Sequence, residues 1–139
     1  MSNEIIVPDD YYYAQVHATK QYALGVINGN TVDFTIDCGF GNYRNERIRL
    51  WGVDCPEVTD TTSEASLEVI NFVKRWLLNE MKVFVKSNPV CRTAYPFILH
   101  TQKDDAFGRY NAKVYGRGTG IELRQHLLYQ GHAAPYDTK

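Results

Sequence analysis

At 139 residues the chain is long enough for one domain with its own core and needs no disulfide staples. Apolar residues at 44% and charged residues at 22% mark an ordinary globular composition, and a net charge of -1 excludes a polycation that grips nucleic acid through bulk charge. Three scattered cysteines and four histidines without ligand spacing argue against a disulfide framework and against zinc.

Residues 1–20 read as a polar N-terminal tail or edge extension, carrying the tyrosine knot Tyr11-Tyr12-Tyr13 and a short apolar run, Ile5-Ile6-Val7, suited to an edge strand. Glu4, Asp9 and Asp10 interrupt any apolar leader, so no signal peptide is expected, and no stretch approaches membrane-spanning length. The expected setting is cytoplasmic; a secreted chain trimmed of its leader would read the same.

Residues 21–139 form the expected domain. Leu24 to Ile36 is a hairpin turning at Asn28-Gly29, a dipeptide suited to a type I′ turn, with Val32, Phe34 and Ile36 on the core face and Thr31, Asp33 and Thr35 opposite. A loop at Gly39–Asn42 leads into a third strand, where Ile48 and Leu50 alternate with Arg47, Arg49 and Trp51. Pro56 ends that strand and leaves Asp54 and Glu57 on the turn beyond it. Thr61 to Met81 is the one long helix, with Thr61 and Glu64 at capping-box spacing. Ala65, Val69, Phe72, Val73, Trp76 and Leu77 form its apolar stripe.

Lys82-Val83-Phe84-Val85-Lys86 reads as a strand. Pro89 and Pro96 punctuate the next stretch, in which Phe97-Ile98-Leu99 reads as an edge strand or hairpin arm. Tyr110–Tyr115 is a strand with Ala112 and Val114 inward, and Ile121–Gln130 a short helix stopped by Gly131. The expected fold is therefore mainly β with α: a five-stranded barrel of OB type, a long helix after the third strand and a short C-terminal helix.

Charged residues gather at two turns. The first is Arg49-Leu50-Trp51-Gly52-Val53-Asp54-Cys55-Pro56-Glu57. The second is Asp105-Ala106-Phe107-Gly108-Arg109, where the parity of Arg109 with Asn111 and Lys113 puts it on the polar face. Two guanidiniums suit a phosphodiester, because each offers planar paired donors to phosphate oxygens. Carboxylates beside them suit a hard cation or a general base.

These two segments, together with Asn28-Gly29-Asn30-Thr31-Val32, Glu64-Ala65-Ser66 and the run from Leu127 to Ala133, resemble the staphylococcal nuclease (thermonuclease) family. The resemblance covers roughly residues 22 to 136, with an apparent insertion within Ser87–Lys103. It implies an OB-fold, calcium-dependent phosphodiesterase that cuts DNA or RNA at the bond to the 5′-oxygen and leaves 3′-phosphates. By position, Arg49 and Arg109 would hold the scissile phosphate and Glu57 would act as general base or orient the water. Asp54, the carbonyl of Cys55 and Asn30 would bind Ca2+. Lys113 on the polar face, and Phe107 and Tyr136 as stacking rings, complete the substrate-binding set; a monomer is assumed.

One departure stands out: the family's hairpin carries aspartates where this chain has Asn28 and Asn30, so the metal end loses formal charge. Asp33, on the polar face, is a candidate to compensate. Structural alternatives stand beside these roles. Arg49 could pair with Asp54 or Glu57, Glu57 could serve the helix entry, Arg109 could pair with Asp105, Phe107 could pack at the sheet rim, and His132 reads as a surface residue. The competing reading of the whole is an OB module that binds nucleic acid or a protein without cutting. A small-ligand or oligosaccharide domain is a third, which leaves the paired arginines unexplained.

Overall fold

The computed structural model describes residues 11–55, 64–87, 95–104 and 109–135. It is an α+β arrangement with one six-stranded sheet, a two-stranded ribbon, one long helix and one short one. The strands are β1 (Tyr11–Val16), β2 (Val26–Asn28), β3 (Thr31–Asp37), β4 (Tyr43–Leu50), β5 (Val53–Asp54), β6 (Phe97–Asp104), β7 (Arg109–Gly116) and β8 (Ala134–Pro135). The helices are α1 (Glu64–Ser87) and α2 (Leu123–Tyr129).

The segment Tyr11–Val16, expected in the tail, is a full strand. β1 pairs antiparallel with β3 on one side and with β6 on the other. β6 continues to β7, β7 pairs parallel with β4, and β4 returns to β3. Each of these five strands therefore has partners on both sides, which leaves no long open edge among the described residues. β3 shares one edge between two neighbours: β2 covers Thr31 and Val32, and β1 covers Phe34 to Ile36. Gly25 stands where the chain crosses from one to the other. A Cβ there would lie 2.6 Å from the carbonyl oxygen of Asp33, and its φ of +72° suits glycine.

The inward faces follow the expected alternation. Val32, Phe34, Ile36, Ile48, Leu50, Ala112 and Val114 are buried, joined by Phe97 and Leu99 from β6. Phe97 meets Phe34 edge-on at 5.9 Å and Trp76 of α1 at 5.7 Å. Each large side chain buried this way contributes about 1.5–3 kcal/mol.

α1 differs from expectation at its end. Lys82–Lys86 is helix, not strand, because Phe84 extends the stripe Val69, Val73, Trp76, Leu77 and Glu80 at helical spacing and is itself buried. Ala65 is exposed and Ser66 takes its place inside. The strand that follows α1 is β6, eight residues long and paired on both flanks, so Phe97–Leu99 is not an edge. The Thr61 cap lies outside the described residues, as does Ile5–Val7.

α2 ends as expected. Gly131 has φ +76°, its N–H donates to the Leu128 carbonyl at 3.2 Å, and His132 N–H donates to the Leu127 carbonyl at 2.9 Å, a Schellman closure. The tip of the β2–β3 hairpin is not a type I′ turn. That turn needs positive φ at both central residues, and neither Asn28, Gly29 nor Asn30 has it. The side chain of Asn28 instead accepts from Asn30 N–H at 3.0 Å, and a bulge follows Val26.

Candidate active site

The last turn of β4 sets the geometry. Register places Thr31, Arg49 and Asn111 side by side across β3, β4 and β7. Beyond Leu50 the chain turns through Trp51 and Gly52, whose φ is +73°, and comes back as β5 against β8. That reversal brings Asp54 to Arg49. The guanidinium Nη2 donates to Asp54 Oδ1 at 2.7 Å, with the two side chains 33% and 50% exposed. An ion pair this open is contestable by a phosphate or a cation.

The hairpin tip lies beneath. A Cβ on Gly29 would meet Val69 Cγ1 at 2.4 Å and Cys55 Cβ at 2.9 Å, so glycine is what lets the tip seat against α1. Asn30 is held there and buried. Its carbonyl accepts from Leu50 N–H at 2.8 Å, its Oδ1 accepts from the Thr31 hydroxyl at 3.2 Å, and its Nδ2 points to the Val53 carbonyl at 3.5 Å. Asn30 thus sits against the Val53 carbonyl, one residue before Asp54.

Cys55 is buried and its thiol is pushed up to about 11, chiefly by burial, with Asp54 adding to the rise and Arg49 opposing it. A thiol held neutral in this way is no nucleophile and no soft metal ligand.

Asp33, the candidate to compensate for Asn30, is paired with Arg47. Its carboxylate is occupied by Arg47, through Nε at 2.9 Å and Nη2 at 3.3 Å, and it sits level with Arg47, one step along the sheet from the Thr31–Arg49 pair.

Arg109 opens β7 two residues before Asn111, the register partner of Arg49. Glu57, Phe107 and Tyr136 lie outside the described residues, as does Asp105. Lys113 is placed with its ammonium 4.9 Å above the Trp51 ring. His132 packs on Phe72 at 4.5 Å.

Three side chains around Lys113 were not singled out as site residues in the sequence. Trp51 meets His100 edge-on at 6.1 Å, and His100 stacks on Tyr11 at 4.2 Å and 8°. The only sequence signal for them is the unexplained tyrosine knot, because the grouping depends on pairing across four strands.

Among the described residues no three of His, Cys, Asp and Glu gather as a metal cluster, and no helix is long and apolar enough to cross a membrane. No protein-family model matches the chain, and no curated protein matches it.

Proposed function

We propose that this chain is a calcium-dependent nuclease on an OB-type barrel, hydrolysing DNA or RNA to 3′-phosphate ends. The cyclic pairing of β1, β3, β4, β7 and β6 supports the barrel reading. The observation that carries the function is the exposed Arg49–Asp54 pair, with Asn30 against the adjacent Val53 carbonyl and the start of β7 alongside.

In this reading Arg49 and Arg109 bind the scissile phosphate and stabilise the extra charge of its five-coordinate transition state. Glu57 takes one proton of the attacking water, whose oxygen bonds to phosphorus; the bond from phosphorus to the 5′-oxygen breaks, and that oxygen takes up a proton from solvent and leaves as a hydroxyl. The donors near Arg49 fit a hard cation in kind, because the Asp54 carboxylate, Asn30 Oδ1 and the Cys55 carbonyl are all oxygens. They are short of charge, since Asn30 is neutral and its Oδ1 already accepts from Thr31. A bound Ca2+ would polarise the phosphoryl oxygen and help lower the pKa of water. The expected consequence is weak calcium affinity.

The test is cleavage of single-stranded DNA with calcium and with chelator, beside Glu57→Gln. Calcium-dependent cutting that the variant loses supports the reading; no cutting above the variant refutes it. The missing hairpin carboxylate favours one second reading, a module that holds nucleic acid without cutting. Tight binding with no cleavage would establish that instead.

A further inference from the structure

We infer that Trp51, Lys113, His100 and Tyr11 form a binding strip for the single-stranded segment flanking the phosphate that Arg49 engages. This rests on the reading of the ligand as a nucleic acid and adds where and how the strand lies.

The strip is built by register. Lys113 of β7 pairs with His100 of β6, and His100 with Tyr11 of β1. Trp51 is tied to the same row, because its N–H donates to the Ala112 carbonyl at 3.0 Å. Three strand spacings separate the Arg49 column from Tyr11, so the strip runs about 15 Å. At about 3.4 Å per stacked nucleotide, that accommodates roughly four.

Its chemistry fits that occupant. Tyr11 is 44% exposed and stacks on His100, which meets Trp51 edge-on, so the three rings form one aromatic row. Base stacking on such rings tolerates any sequence. The ammonium of Lys113 over Trp51 supplies a cation for the backbone between bases, and no member of the strip is a carboxylate. A duplex presents its bases edge-on in grooves and cannot lay them on the rings, which selects a single strand.

Ordinary packing explains part of this arrangement, but not its placement. These rings lie on the outward face of strands whose inward residues, Leu99 and Ala112, already fill the core. The strip begins at Trp51, two residues from Arg49.

The test measures binding of deoxythymidine oligomers, two and eight nucleotides long, to the full chain in chelator, so that no cleavage intervenes. Trp76 is buried, so quenching of tryptophan emission reports Trp51. Both should quench it, since the strip begins beside Arg49, and the octamer should bind the more tightly. Tyr11→Ala should weaken the octamer at least about fivefold and leave the dimer unchanged, while Tyr11→Phe retains affinity. Unchanged emission with the octamer overturns the strip, and so does an equal loss for both lengths or no loss in Tyr11→Ala. Should Tyr11→Ala not fold, the emission measurement on the natural chain decides alone. Cleavage by the natural chain with no length-dependent binding would retain the nuclease and remove the strip. Length-dependent binding without cleavage would do the reverse.

Discussion

Asn30→Asp interrogates the metal end through stability as well as activity. In the natural chain Nδ2 faces the Val53 carbonyl at 3.5 Å within a buried hairpin tip, so the aspartate would set two acceptors against each other. The hydrogen bond lost is long and weak. The larger cost is a buried carboxylate whose second oxygen, the one replacing Nδ2, is left without a donor, about 1–3 kcal/mol. For a domain of this size that lowers Tm by roughly 3–12 °C in chelator. Calcium should return the loss, because a cation at 100 times its Kd adds about 2.7 kcal/mol. Thermal melts followed by circular dichroism, with chelator and with calcium, give both quantities. The natural chain should gain less from calcium than the variant. Equal gains in the two, or no penalty in chelator, would show that Asn30 does not line a cation site.

Gly29→Ala should cost about 1–3 kcal/mol in urea melts, since its methyl group would press on Val69 and Cys55 at the root of the hairpin. Leu77→Ala, beneath the sheet on α1, should cost about 2–5 kcal/mol by the same measurement. A thiol reagent should modify exposed Cys38 in the folded chain and spare Cys55 until denaturant is added. The Cys55 thiol is raised from 9.0 to about 11 on folding, so the unfolded chain gives up its proton first. Its contribution to stability is complete below about pH 9 and is lost as pH rises towards 11, a loss of order 2 kcal/mol that Cys55→Val should abolish in pH-dependent urea melts.

Much of the fold was legible where burial follows a clean period. Val32, Phe34 and Ile36 alternate with polar residues, and Leu127 to Gly131 carries both stripe and stop, so β3 and α2 fall where expected. β1 was hidden because both its faces are aromatic: Tyr12 points inward while Tyr11 and Tyr13 point out, and no polar alternation betrays the strand. Lys82–Lys86 deceived in the opposite way, since Phe84 satisfies a period of two and a helical stripe alike, and packing on the core chose the helix. Glu80 escaped notice because a carboxylate in an apolar stripe has no reason to be inside until Thr119, from another element, donates to it at 2.8 Å. At the site, the pairing of Arg49 with Asp54 was readable from the motif. The partnership of Asp33 with Arg47 was not, because it depends on which residue of β4 lies opposite.

The parallel pairing of β4 with β7 bears on how the site comes into being. Ile48 and Tyr110 meet across an interval of about sixty residues, and closing so long a loop returns no local contacts until it is nearly complete. The β2–β3–β4 meander and α1 rely on nearer neighbours and can organise earlier. The groups proposed to grip phosphate are then assembled at the seam that zips late in folding. The same seam should open early under mild stress, and amide exchange would show the Trp51 N–H, held by Ala112, released before the amides of α1.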